Sequence, residues 1–459
     1  MTKHTPAAEF LTEFERNKDA LLEEYFRFLR FESISAEPSY SDQVRACADW
    51  VRSFLSESGM DTEIWETEGH PVVFASWMKA GPSAPTVLIY NHYDVQPVDP
   101  LELWKSPPFQ PHLENGEVFA RGAQDNKGQC YYVMAAVRHL LRTRGTLPVN
   151  VKLCIEGEEE TGSGGLSKLL AAKKDQLQAD HLFIVDLGFH APESPALTLG
   201  VRGITTMTVE LTGSGGDLHS GMVGGIVYNP NRAMAELLGK LHDSSGRVTV
   251  PGFYDDVADV SEEELSALSF HFDPDGFRAM FGAEPNGGES DFSPLQRAWI
   301  RPTLEINGIA GGYFGDGFKT VIPARCIAKI SCRLVPNQDP NTIGELVSTY
   351  LKSHAPKGMK LEVHIHPGVG SAVRSSSAGK AVKTTANVLS EVCGKKCEFI
   401  LSGGSIPVVA GLAEVSGAEV VLMGFGLPDD NLHAPNEHFG VDRIKRGFAT
   451  IAAVIERLE

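Results

Sequence analysis

The run Thr86-Val87-Leu88-Ile89-Tyr90 carries no polar alternation and ends in Asn91-His92-Tyr93-Asp94. An unalternating apolar run is what a parallel strand needs when both faces of its sheet are covered. Asn150-Val151-Lys152-Leu153-Cys154-Ile155, His181 to Val185 and Ala418 to Met423 read the same way. Helical spacing recurs around them: Phe10, Phe14, Leu21, Tyr25 and Leu29; Val44, Cys47, Val51 and Phe54 after the candidate cap Ser41; Tyr132, Ala136 and Leu140; Ala381 and Val388. Such a chain is α/β, with a mixed, mainly parallel sheet flanked by helices. An open sheet of that kind places its chemistry at the carboxyl ends of its strands.

Those strand ends carry ionisable groups. After Ile155 comes Glu156-Gly157-Glu158-Glu159-Glu160-Thr161-Gly162-Ser163. Neighbouring carboxylates raise one another's pKa unless cations or donors compensate, so Glu159 and Glu160 suit two roles, one proton carrier and one ligand. The alternative is a solvated acidic turn. In a strand His92 and Asp94 project to one side, which lets Asp94 fix the imidazole tautomer. Asp125 lies in a loop bounded by Gly122 and Gly128 just before a helix, where it suits either capping or a bridging carboxylate. Asp186 follows the strand His181 to Val185, and His433 sits in the loop Asp429 to Glu437.

From Ile204 the texture changes. Met207, Val209 and Leu211 alternate with Thr208, Glu210 and Thr212, the pattern of a sheet with one wet face. Strands at Thr303 to Ile306, Arg325 to Val335 and Lys360 to His366, with helices from Pro230 and near Ile343 to Leu351, give β-α-β-β-α-β order. The predicted second domain is therefore an α+β split-βαβ insertion at 203–375, and the first is discontinuous, 1–202 and 376–459. Ser261 and Glu264 make a capping-box pattern within the insertion. Alternation puts Cys326, Ala328, Ile330, Cys332 and Leu334 inside and Lys329, Ser331 and Arg333 outside. Gly403 and Gly404 before a helix start suggest amides aimed at an anion.

Lysine and arginine total 41 against 59 acids, a formal charge of -18, which argues against nucleic acid and favours neutral or cationic small molecules. Met1 to Glu15 has no apolar signal region, and no stretch approaches ~18 uninterrupted apolar residues, so no membrane partner is expected. Seven scattered cysteines do not make a disulfide framework and point to the cytoplasm, and Cys393 with Cys397 lacks the second pair of a zinc knuckle.

Taken together, Asn91 to Asp94, Arg121 to Gly128, Glu156 to Ser163, Asp186, Asp217 to Gly225, Lys319 to Pro323, Gly403 to Pro407 and His433 resemble the metallopeptidase family of cytosolic dipeptidases, carnosinases, carboxypeptidase G-type enzymes, aminoacylases and succinyl-diaminopimelate desuccinylases. The resemblance is nearest to the dipeptidase and carnosinase branch. It implies one cation held by His92 and Asp186, a second by Glu160 and His433, and Asp125 bridging both. Zn2+ is the implied metal, with Mn2+ or Co2+ as substitutes. It further implies Glu159 as general base, Asp94 as the orienter of His92, and His219 as an oxyanion donor acting across a homodimer built by the smaller lobe. Arg333, Thr320, Gly404 and Ser405 match positions that hold a substrate's free carboxylate. The implied activity is hydrolysis of dipeptides or short peptides with a free C-terminus, with N-acyl-amino-acid deacylation as the alternative. Several dipeptidase relatives carry an acid where this chain has Ser402, which puts selectivity for a free substrate amine in question.

Overall fold

The computed structural model describes residues 6–192, 194–258, 260–269 and 272–459. The first five residues of the Met1 to Glu15 stretch lie outside that set. The chain divides into two compact units: Met1–Gly200 with Ser375–Ile400 and Val408–Glu459, and Val201–Arg374 with Leu401–Pro407.

In the first unit the strands run, from one edge, Asp61–Trp65, Val72–Trp77, Asn150–Glu156, Thr86–His92, His181–Val185, Glu419–Met423 and Ala196–Val201. The pairs around Thr86–His92 and His181–Val185 are parallel, and the pairs toward both edges are antiparallel. Asn150–Glu156 is buried along its whole length, as its unalternating sequence requires. Helices Ala7–Leu29, Ser41–Glu57, Lys127–Arg144, Lys380–Cys393 and Val441–Arg457 cover the sheet and each other with apolar faces. Ser41 is not the cap of its helix. It is the first helical residue, its hydroxyl donates to Pro38 O at 2.9 Å, and Tyr40 stands at the cap position.

The second unit is a four-stranded antiparallel sheet in the order Thr303–Ala310, Arg325–Leu334, Gly203–Thr212, Lys360–Ile365. Its inner face, with Met207, Val209, Leu211, Ala328 and Ile330, packs on Met234, Leu237, Val347 and Leu351 of helices Pro230–Leu238 and Pro340–Ser353. The capping box at Ser261 is half formed: its hydroxyl accepts from the Glu264 amide at 3.2 Å, but the Glu264 carboxylate turns to Arg374.

Candidate metal centre

Three parallel strands of the first unit deliver the site. His92 ends its strand with Nδ1 3.1 Å from its own neighbour Asp94 O, so Nε2 points away from the backbone. That nitrogen is fully buried, has no hydrogen bond, and faces Asp125 Oδ1 at 3.2 Å and Asp186 Oδ1 at 3.7 Å. Asp125 turns its other oxygen, Oδ2, to His433 Nε2 at 2.9 Å, and the same nitrogen lies 3.4 Å from Glu160 Oε2. Two groups result, His92-Asp125-Asp186 and Asp125-Glu160-His433, in each of which the possible ligand atoms lie within 4.8 Å of one another. Asp125 is common to both. Glu160 Oε1 is a second buried atom without a partner.

His92, Asp125, Glu160 and Asp186 are held from behind. The Asp94 carboxylate lies 3.3 Å from His92 Nδ1, but its hydrogen bonds go to the backbone amides of Glu159 at 3.2 Å and Glu160 at 3.1 Å. It therefore anchors the tight turn Glu159–Thr161 that presents both glutamates. Gln96 Nε2 donates to Glu160 Oε2 at 2.7 Å. Asn126 accepts from Asn91 Nδ2 at 2.7 Å, and its own amide donates to Val185 O and Asp186 Oδ1, tying the ends of two strands. Glu437, buried, accepts from the amides of Gly122, Gln124 and Asp125 and from Arg121 Nη1 at 2.8–3.0 Å. Asp125 is thus no helix cap; its loop is cradled by a carboxylate from the far end of the chain. Gln96, Asn126 and Glu437 escaped the sequence reading, although Glu437 stands in the same loop as His433 and Asn126 beside Asp125.

The electrostatics are those of a cation site. Glu159 and Glu160 are pushed well above the usual carboxylate range, by burial first and then by the acids around them, Asp125 and Asp94 for both and Asp186 for Glu159. Burial works against a charged His92, yet Asp186, Asp125 and Asp94 raise it well above its usual value. His433 is raised by its hydrogen bond to Asp125. Converging acids, imidazole nitrogens aimed inward and the two orphaned atoms are what N/O-coordinated divalent cations satisfy. A third convergent group, Glu117, Asp430 and His438, differs. Arg443 fills it, with Nη1 2.6 Å from both Asp430 oxygens and Nη2 2.8 Å from Glu117, so it is a closed ion pair.

The remaining predicted residues lie in the second unit, in two clusters. His219 Nδ1 accepts from the Gly221 amide at 3.0 Å, His219 pairs with Val321, and Thr320 O accepts from the Ser220 amide at 3.1 Å. Arg333 Nη1 donates to Ser405 Oγ at 2.8 Å. The Gly404 amide, predicted to face an anion, donates to Ser402 Oγ at 3.1 Å.

Residues 88–457 match the profile of Peptidase family M20/M25/M40. A Cys-Gly metallodipeptidase of Schizosaccharomyces pombe is 30% identical over 97% of this chain and 96% of its own length. The human Beta-Ala-His dipeptidase is 34% identical over 80% of this chain and 73% of its own. Among solved structures, an M20 family metallo-carboxypeptidase from Sulfolobus solfataricus superposes with TM-score 0.86 at 33% identity, covering 95% of this chain and 99% of that one.

Proposed function

Because this chain belongs to Peptidase family M20/M25/M40 and is a dipeptidase-type hydrolase, we propose that it cleaves the amide bond of dipeptides or similar short peptides with a free C-terminus. The observation that carries the reading is the pair of ligand groups sharing Asp125, with Glu159 on the turn that also presents Glu160.

The family implies divalent cations. His92 and Asp186 would hold one, Glu160 and His433 the other, and Asp125 both; zinc suits this donor set, with manganese or cobalt as substitutes. Bound there, such a pair acidifies water and stabilises negative charge on the scissile carbonyl. Glu159 does the proton work. Burial makes its carboxylate a strong acceptor, which takes the proton of the attacking water and returns it to the leaving amine nitrogen. No covalent intermediate with the protein is needed. Asp94 keeps the Glu159 turn in place. His219 supplies the oxyanion donor, and Arg333, Thr320, Gly404 and Ser405 hold the free carboxylate.

In this reading 1–202 with 376–459 is the catalytic domain and 203–375 the lid and dimerisation domain, with the difference that Val201, Arg202 and Leu401–Pro407 group with the second unit. Self-association is supported by the edge strand Thr303–Ala310 with exposed Ile306 and Ile309, and by exposed Met222, Ile226, Phe314 and Phe318 in the same unit. A cytoplasmic site is supported by the unbridged thiols of Cys47, Cys130, Cys154, Cys326, Cys332 and Cys397. Among the described residues no helix is long and apolar enough to cross a membrane.

Ser402, uncharged and bonded to Gly404, favours N-acyl-amino-acid deacylation as the second reading. The deciding experiment is turnover of a dipeptide panel beside N-acetyl and N-succinyl amino acids, before and after chelation and cation return. Fast deacylation with little dipeptide cleavage reverses the order, and no turnover of either class after cation return ends both.

A further inference from the structure

Arg202 immediately precedes the strand Gly203–Thr212, and Arg333 stands opposite Ile204 in the neighbouring strand. With period-two alternation, Arg202, Ile204 and Arg333 leave the same outer face of the second unit's sheet. Both arginines reach one loop. Arg202 Nε donates to Gly403 O at 2.9 Å, the Arg202 amide to Gly404 O at 2.9 Å, and Arg333 Nη1 to Ser405 Oγ. Arg202 Nη1 also makes a long contact, 3.5 Å, to Arg301 O.

What is missing is an acid. Among the described residues no carboxylate lies within ion-pair distance of either guanidinium, and Arg202 Nη2 and Arg333 Nε and Nη2 donate to nothing. Glu305 acts on Arg202 only from farther off. Burial lowers Arg202 to about 10, with Arg333 adding to the effect, and burial lowers Arg333 too. Half-buried like charges that share a loop and have donors to spare are stabilised by an anion, and a guanidinium takes a carboxylate with two donors at once.

One carboxylate neutralises one of the two. The proposed function already sets the substrate's C-terminal carboxylate against Arg333 and Ser405. We propose that Arg202 receives a second carboxylate, the acidic side chain of the substrate's C-terminal residue, so that dipeptides ending in aspartate or glutamate are preferred. This rests on the dipeptidase reading and narrows its substrate class. The net charge of -18 does not oppose it, because that field is screened over roughly 8 Å in physiological salt, whereas the guanidinium acts at hydrogen-bond range.

The test compares kcat/KM for alanyl-glutamate and alanyl-glutamine on the full chain with cations restored, in the wild type, Arg202→Gln and Arg202→Lys. A charge-assisted bond predicts that the wild type favours the acid roughly ten- to a hundredfold, mostly through KM. Arg202→Gln should bring that ratio close to one, and Arg202→Lys should keep part of it. If Arg202 only braces Gly403, its replacement slows both substrates equally and the ratio stands; that result overturns the proposal. So does a wild-type ratio near one, which needs no variant at all. Turnover without acid preference removes only this inference, whereas no dipeptide turnover removes the dipeptidase reading beneath it.

Discussion

Glu437→Gln is the sharpest test of how the metal centre is held. The wild-type carboxylate meets four donors: the amides of Gly122 at 2.8 Å, Gln124 at 2.9 Å and Asp125 at 3.0 Å, and Arg121 Nη1 at 2.8 Å. Both partners of the ion pair are buried, with side-chain exposures of 1% for Arg121 and 0% for Glu437. The glutamine keeps one oxygen and turns an amino group toward donors. Two costs compete in size. Weakened hydrogen bonds to a formerly charged acceptor account for about 1.5–3 kcal/mol. Leaving Arg121 as a buried cation without a counter-charge costs about 3–5 kcal/mol and dominates, since its remaining partners are neutral, Pro97 O at 2.9 Å and the Trp104 ring 5.3 Å away. We therefore expect urea denaturation of the cation-free protein to show about 3–5 kcal/mol less stability. The second readout is calorimetric titration with Zn2+ or Mn2+. Asp125 loses an anchor on its own amide, so affinity should fall about 10–100-fold, as for other residues that brace a ligand from behind. Removing Arg121 as well, as Arg121→Met with Glu437→Gln, should recover part of the stability but not the affinity. A stability loss under about 1 kcal/mol together with unchanged cation affinity would refute the cradle.

Three further outcomes follow from the same geometry. Glu159→Gln should retain both cations by elemental analysis while turnover falls about 10²–10⁴-fold; wild-type rates would remove Glu159 from the mechanism. In the cation-free protein His92 and Glu160 are both raised well above their usual values, so these two ligands keep their protons to higher pH than free side chains do and must give them up to a cation. Cation binding should therefore release protons, and affinity should climb with pH until the raised values are passed; calorimetry in buffers of differing ionisation enthalpy that finds no release would contradict the ligand assignment. His219→Asn should slow kcat with KM near wild type, and a pure KM effect would argue against oxyanion stabilisation.

The convergence of His92, Asp125, Glu160, Asp186 and His433 was legible because each sits where an unalternating strand ends or in a loop that follows one. That pattern reports backbone position well. It does not report what a side chain meets from a distant part of the chain. Gln96 and Glu437 look like solvent-facing residues in sequence, and only folding sets the one on Glu160 and buries the other beneath Asp125. Asp94 shows the finer limit. Alternation put it beside His92, where it is, but the regular strand stops at His92, so its oxygens are free to take the amides of Glu159 and Glu160. Ser41 misled because a serine before an apolar helix reads as a cap, while the turn Pro38–Tyr40 already draws its hydroxyl back to Pro38 O.

The six residues from His433 to His438 explain why a ligand so late in the chain is placed so firmly. His433 meets Asp125; Asn436 accepts from the Lys105 amide at 2.8 Å and donates to Leu103 O at 3.0 Å; Glu437 holds Arg121 to Asp125; the His438 ring stacks on Phe119 at 5.1 Å. Asn431 just before this segment, and His433 and Asn436 within it, have φ of 56°, 58° and 64°, a conformation that costs of order 1–3 kcal/mol at a side-chain-bearing residue and persists only when surrounding bonds over-determine it. Asparagine tolerates it most readily and histidine less so, so the strain at His433 needs the anchors on either side. The segment that completes the second ligand group is therefore also the clamp on the shared Asp125. Loosening any of its anchors should reach both cations together and not one alone.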